Sequence, residues 1–131
     1  MQHRKGGDAY KQLHMESIVA DASPHKLITL LFSQTRAQLK SALVAHQANN
    51  TGVRREAIHR AVECLSGLRE ALNFEVESDL PHNLHKLYLY MQQSLIACQR
   101  EFSEAKVVEI LSLLETLADA WAQIDDAATG P

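Results

Sequence analysis

The chain has 131 residues, a formal charge of −3, and a hydrophobic content of 46% with aromatics at only 5%. That length suits one domain around a single core. Lys and Arg are scattered among Asp and Glu, so no basic field tracks a phosphate backbone and nucleic acid is excluded as a partner. Leu and Ala recur while aromatics are few, which favours helix packing over sheets and predicts an all-α fold.

The basic N-terminus, Met1 to Gly7, is followed by no apolar stretch, and nowhere do about eighteen apolar residues run uninterrupted. The expectation is a protein of the cytosol with no secretory signal and no membrane insertion. Cys64 and Cys98 fall at positions that read as helix core, where thiols act as small hydrophobes rather than as a disulfide framework.

In chain order, residues 1–22 read as an N-terminal arm or short cap helix, residues 24–124 as a four-helix bundle, and residues 125–131 as a flexible tail, all within one domain. Ser23 can cap the first helix and Pro24 fits its first turn, so that helix is expected from Pro24 to about Gln47. The cluster Asn49-Asn50-Thr51-Gly52 ends it, with Thr51 the expected cap of the second helix, Val53 to Asn73. Phe74 to Ser78 is the connector, and a third helix starts near Asp79 or Leu80, with Pro81 tolerated in its first turn. It fades near Glu101. Ser103 then caps a fourth helix, Glu104 to Ile124. Such short connections force consecutive helices to run antiparallel, in an up-down bundle.

Placed at about 100° per residue, the first helix has a core stripe of Ile28, Leu31, Phe32, Thr35, Leu39, Ala42 and Leu43, with Leu30, Ala37 and Val44 nearly opposite. In the second, Ala57, Ala61, Cys64 and Leu68 adjoin another row, Ile58, Val62, Leu65, Leu72 and Val76. The third is expected to bury Leu80, Leu84, Leu87, Tyr88, Met91, Leu95 and Cys98, yet Leu89 and Ile96 point about 160 to 180° away. The fourth is expected to bury Val107, Ile110, Leu111, Leu114, Leu117 and Trp121, with Leu113, Ala120 and Ile124 on its flank and Val108 outside the arc. One bundle cannot bury all of this. The surplus fits a helix-in-groove or wrap-around partner, which gives a partner surface of Leu65, Leu72, Val76, Leu89, Ile96, Leu113 and Ile124. Scattered surface leucines are also normal, so the joint excess carries this reading rather than any one residue.

Catalytic apparatus is not visible: there is no Gly-rich phosphate loop, no buried carboxylate pair and no nucleophile elbow. Asp79, His82 and His85 could geometrically share a metal, but first-turn groups of this kind are usually solvated, and no metal or cofactor is assigned. His59 lacks the neighbours of a phosphotransfer histidine. The residues thus describe a binding protein, not an enzyme, with a generic helical adaptor or dimerisation module as the alternative.

Three blocks carry a family resemblance. They are Ala9-Tyr10 with Ala22-Ser23-Pro24-His25-Lys26-Leu27 and Leu31-Phe32; Leu72-Asn73 with Asn83-Leu84 and Leu87-Tyr88-Leu89-Tyr90-Met91; and Val107-Val108-Glu109-Ile110-Leu111 with Leu114 and Leu117, ending at Trp121. In order and spacing the chain resembles the flagellin-specific type III export chaperones of bacteria, the FliS family, from about Asp8 to Ile124. It departs from the family pattern at Phe32, near Ser78 and at Cys98. The resemblance implies an antiparallel bundle that binds the disordered C-terminal segment of flagellin, prevents premature polymerisation and keeps it export-competent. Flagellar export-gate components are a possible further class of partner, and the free protein is expected to be a monomer or weak dimer. The resemblance further implies an N-terminal cap, whose apolar contacts Tyr10, Leu13, Ile18 and Val19 would supply; the plainer role for Tyr10 is to plug the bundle end.

Overall fold

The computed structural model describes residues 23–124, and these form four helices: α1 (Pro24–Gln47), α2 (Thr51–Glu70), α3 (Leu80–Arg100) and α4 (Glu104–Ala122). No strand occurs among the described residues. The starts are set by short polar side chains that satisfy free amides. Ser23 Oγ accepts from the Lys26 amide at 3.2 Å and Ser103 Oγ from the Lys106 amide at 3.1 Å. The cap of α2 is Asn50, whose Oδ1 accepts from the Val53 amide at 3.1 Å, and Thr51, the expected cap, is instead the first helical residue. Asn49 supplies the reversal before it at φ 57°, a left-handed conformation that Asn tolerates better than most residues.

The second helix stops at Glu70 rather than Asn73. Asn73 is the cause: its Oδ1 accepts from the Glu75 amide at 3.0 Å, an Asx turn that competes with helix continuation. Leu72 and Val76 therefore sit in the connector, not on α2.

Cross-helix contacts establish the antiparallel bundle. His25 at the start of α1 meets Trp121 at the end of α4, and His46 at the end of α1 meets Arg54 at the start of α2. Arg55 and Gln99 exchange hydrogen bonds of 3.2 and 2.8 Å between the start of α2 and the end of α3. The order around the bundle is α4, α1, α2, α3, with α3 and α4 the least closely apposed neighbours.

The core joins Phe32, Leu39 and Ala42 of α1, Ile58, Ala61, Leu65 and Leu68 of α2, Tyr88, Met91, Leu95 and Cys98 of α3, and Val107, Ile110 and Leu114 of α4. Small residues let α1 and α2 approach closely: a Cβ on Gly67 would lie 3.2 Å from the nearest Leu31 methyl. Leu80, expected in the core, is 59% exposed, because it opens α3 at the rim of the bundle, where none of the described helices covers it.

Two buried polar groups interrupt the core: Thr35, whose hydroxyl donates to the Leu31 carbonyl at 2.7 Å, and Gln92, which a sequence pattern does not reveal because a lone Gln in an apolar stripe carries no periodicity. Gln92 donates through Nε2 to the Val62 carbonyl at 2.9 Å and to Ser66 Oγ at 2.8 Å, and accepts at Oε1 from Arg69 at 2.8 Å. All its capacity within reach is used, which is what makes its burial tolerable.

Candidate partner-binding surface

Two seams of the bundle carry part of the surplus apolar surface, whereas Val44 of α1, 69% exposed, lies on neither. Gln92 and Gln99 bond to α2, so the α2 side of α3 is fixed, and Leu89 and Ile96 flank Gln92 by three and four residues along that side. Ile96 is 51% exposed and Leu89 half-buried.

Across the other seam, Tyr90 of α3 donates its hydroxyl to Glu109 at 2.5 Å, and Lys106 donates to Tyr90 at 2.9 Å and to Glu109 at 3.0 Å. The Tyr90 hydrogen bond is the main reason that the Glu109 carboxyl is held below its usual range and the Lys106 ammonium raised above its own. This triad marks the α3-facing side of α4, on which Leu113 also lies; α4 ends at Ala122 rather than at the expected Ile124, whose amide donates to the Trp121 carbonyl at 3.0 Å in the closing turn. Ile124 is 41% exposed, while Leu113 is half-buried against the core. In the connector Val76 is 47% exposed and Leu72 rests partly on the core.

Leu65 does not belong to this surface. It is completely buried, because α2 is packed between α1 and α3 and its two apolar rows merge into one interior face. Tyr10, Leu13, Ile18 and Val19 lie outside the described residues. The sequence reading also passed over Phe74 and Tyr90 as surface groups, although a large aromatic in a connector, such as Phe74, was itself a signal.

The titratable groups are placed for structure. His82 and His85 lie against the Phe74 ring, at 4.9 and 6.0 Å between centroids, and among the described residues no group of three or more His, Cys, Asp and Glu is arranged to hold a metal ion. His59 Nε2 approaches Glu63 at 3.2 Å on the exposed face of α2. Burial pushes the Cys64 thiol up, which keeps it protonated and disfavours thiolate chemistry. No described helix is long and apolar enough to cross a membrane.

Comparison with known proteins adds the remaining observation. Residues 6–128 match the family model described as flagellar protein FliS. The chain is 32% identical over 125 residues to the flagellar secretion chaperone FliS of Salmonella typhimurium, spanning 95% of this chain and 93% of the relative. It is 33% identical over 120 residues to that of Escherichia coli, spanning 91% and 88%. It is also 33% identical over 115 residues to the flagellar secretion chaperone FliSB of Pseudomonas aeruginosa, spanning 86% and 89%.

Proposed function

The chain belongs to the FliS family, a family of flagellar secretion chaperones and not of enzymes, and on that premise we propose that it binds the disordered C-terminal segment of flagellin and holds it export-competent in the cytosol. The observation that carries the reading is the placement of Ile96, Leu89 and Leu113 along two seams of an otherwise closed bundle, with Ile124 exposed just past the end of α4. A segment without a core of its own can fold as amphipathic helices into such seams, losing its ordering entropy as it binds. To cover both, it passes over the outside of α3.

Sequestration is the functional consequence. Apolar residues of flagellin held in the seams are unavailable to another flagellin subunit, so premature polymerisation is blocked. Leu72 and Val76 extend the α2–α3 seam toward the connector. Tyr10, Leu13, Ile18 and Val19 are proposed as a cap that competes with flagellin, and export-gate components as later partners of the loaded chaperone.

Titration calorimetry with a peptide of the C-terminal segment of the same organism's flagellin tests this. One-to-one binding with a negative heat-capacity change is expected, as for coupled folding on an apolar surface. A folded bundle that ignores the peptide would favour the helical adaptor.

A further inference from the structure

The connector between α2 and α3 presents apolar and acidic side chains together. Phe74 and Val76 are each 47% exposed and Leu80, which follows at the start of α3, is 59% exposed. Between and before them stand Glu70, Glu75, Glu77 and Asp79, all exposed. Residues 70–85 contain these four acids and no Lys or Arg, which is more negative charge than the net −3 of the whole chain. The knuckle is thus one of two acidic stretches of the chain, the other being residues 101–131, where seven acids face Lys106 alone. Among the described residues, none of the four carboxylates is in an ion pair.

The knuckle is also held in shape. The Phe74 ring rests on His82 and His85. The Glu75 amide donates to Asn73 Oδ1 at 3.0 Å, the Ser78 amide to the Val76 carbonyl at 2.9 Å, and the Leu80 amide to Ser78 Oγ at 3.1 Å. Exposed apolar anchors on a fixed backbone lose little conformational freedom on contact, which is the property of a docking point rather than of a solvated loop.

We infer that this knuckle docks a second protein segment, one in which Lys or Arg alternates with apolar residues, at a site that lies beyond the two helical seams and shares only Val76 with the α2–α3 seam. Charge decides the occupant. A second copy meeting the knuckle through its own knuckle sets four acids against four, and an anionic lipid surface is repelled in the same way. A basic segment gains long-range steering from the unpaired carboxylates and contact area from Phe74, Val76 and Leu80.

The test uses the full chain and two labelled twelve-residue peptides, Lys alternating with Leu and Glu alternating with Leu, followed by fluorescence anisotropy and amide NMR shifts. The Lys–Leu peptide should bind with shifts centred on residues 74–80, and binding should weaken at least tenfold both in Glu75→Lys/Glu77→Lys and in Phe74→Ser/Val76→Ser. The charge-reversed variant should gain the Glu–Leu peptide. Unchanged thermal melting verifies that these exposed substitutions leave the bundle folded. Equal affinity for both peptides, or shifts confined to the helical seams, overturns the inference. So does a rise in affinity in Arg4→Ser/Lys5→Ser/Lys11→Ser, which would mean that the chain's own N-terminus covers the knuckle.

Discussion

Trp121 donates its indole Nε1–H to the main-chain carbonyl of His25 at 3.1 Å, and the two rings stack at 4.7 Å with 16° between their planes. His25 Nε2 lies 3.3 Å from the Trp121 carbonyl, which accepts from it, so first and last helices are joined by two reciprocal bonds across 96 residues of chain. This pair thus ties α1 to α4 at one end of the bundle, in addition to the core that the two helices share.

Trp121→Phe keeps a ring for stacking but leaves the His25 carbonyl without the indole donor. That carbonyl keeps the Thr29 hydroxyl at 3.1 Å, so what is lost is one net hydrogen bond, about 0.5 to 1.5 kcal/mol. Urea unfolding should show a midpoint lowered accordingly with an unchanged slope, and an unchanged midpoint would mean that water replaces the indole without loss.

At Gly67 two effects oppose. Alanine is favoured over glycine within a helix by about 1 kcal/mol, whereas its Cβ would press on Leu31 methyls at 3.2 and 3.3 Å. Leu31 is half-buried and can yield a few tenths of an ångström, so Gly67→Ala should be within about 1 kcal/mol of wild type. Gly67→Leu has no such room and should destabilise by about 1 to 3 kcal/mol by calorimetric melting.

Leu65 and Ile96 separate core from surface. Leu65→Ala should cost about 2 to 5 kcal/mol, the range for a fully buried leucine. Ile96→Asp should leave helicity and melting nearly intact while weakening flagellin-peptide binding at least tenfold. If Ile96→Asp unfolds the protein, that residue belongs to the core and the α2–α3 seam is not a docking surface.

Gln92→Leu replaces the amide with an apolar side chain of similar size, yet removes the acceptor of the Arg69 guanidinium and the donor to Ser66 Oγ, while the Val62 carbonyl, inside α2, keeps its helical bond. Loss should be about 1 to 3 kcal/mol despite the added apolar area. Hydrogen exchange should speed selectively where α2 meets α3.

Alkaline stability should depend on Tyr88, whose phenol burial pushes up to about 12. Because the folded value lies above the unfolded one of about 10, the contribution is complete below pH 10. It is lost as pH rises toward 12, where the unfolded chain releases a proton that the folded one retains. Tyr88→Phe should flatten the fall in melting temperature between pH 9 and 12, and an unaltered profile would show that another group governs it.

The sequence alone determined the helices and most of the interior. Ser23, Pro24 and Ser103 act locally, within one turn, so the starts of α1 and α4 could be read without any tertiary partner. The 3.6-residue repeat likewise identified Leu39, Met91, Leu95, Ile110 and Leu114 as core, because each helix places them on one face whatever surrounds it. Tertiary structure decided everything that depends on how many neighbours a face has. Leu65 is buried because α2 has a helix on either side, Leu80 is exposed because α3 begins beyond its neighbours, and Gln92 is tolerated because Val62, Ser66 and Arg69 converge on it. A helical wheel specifies direction around one axis and carries no information on what stands opposite, and that is why the surplus surface was legible as an excess but its members were settled only by packing.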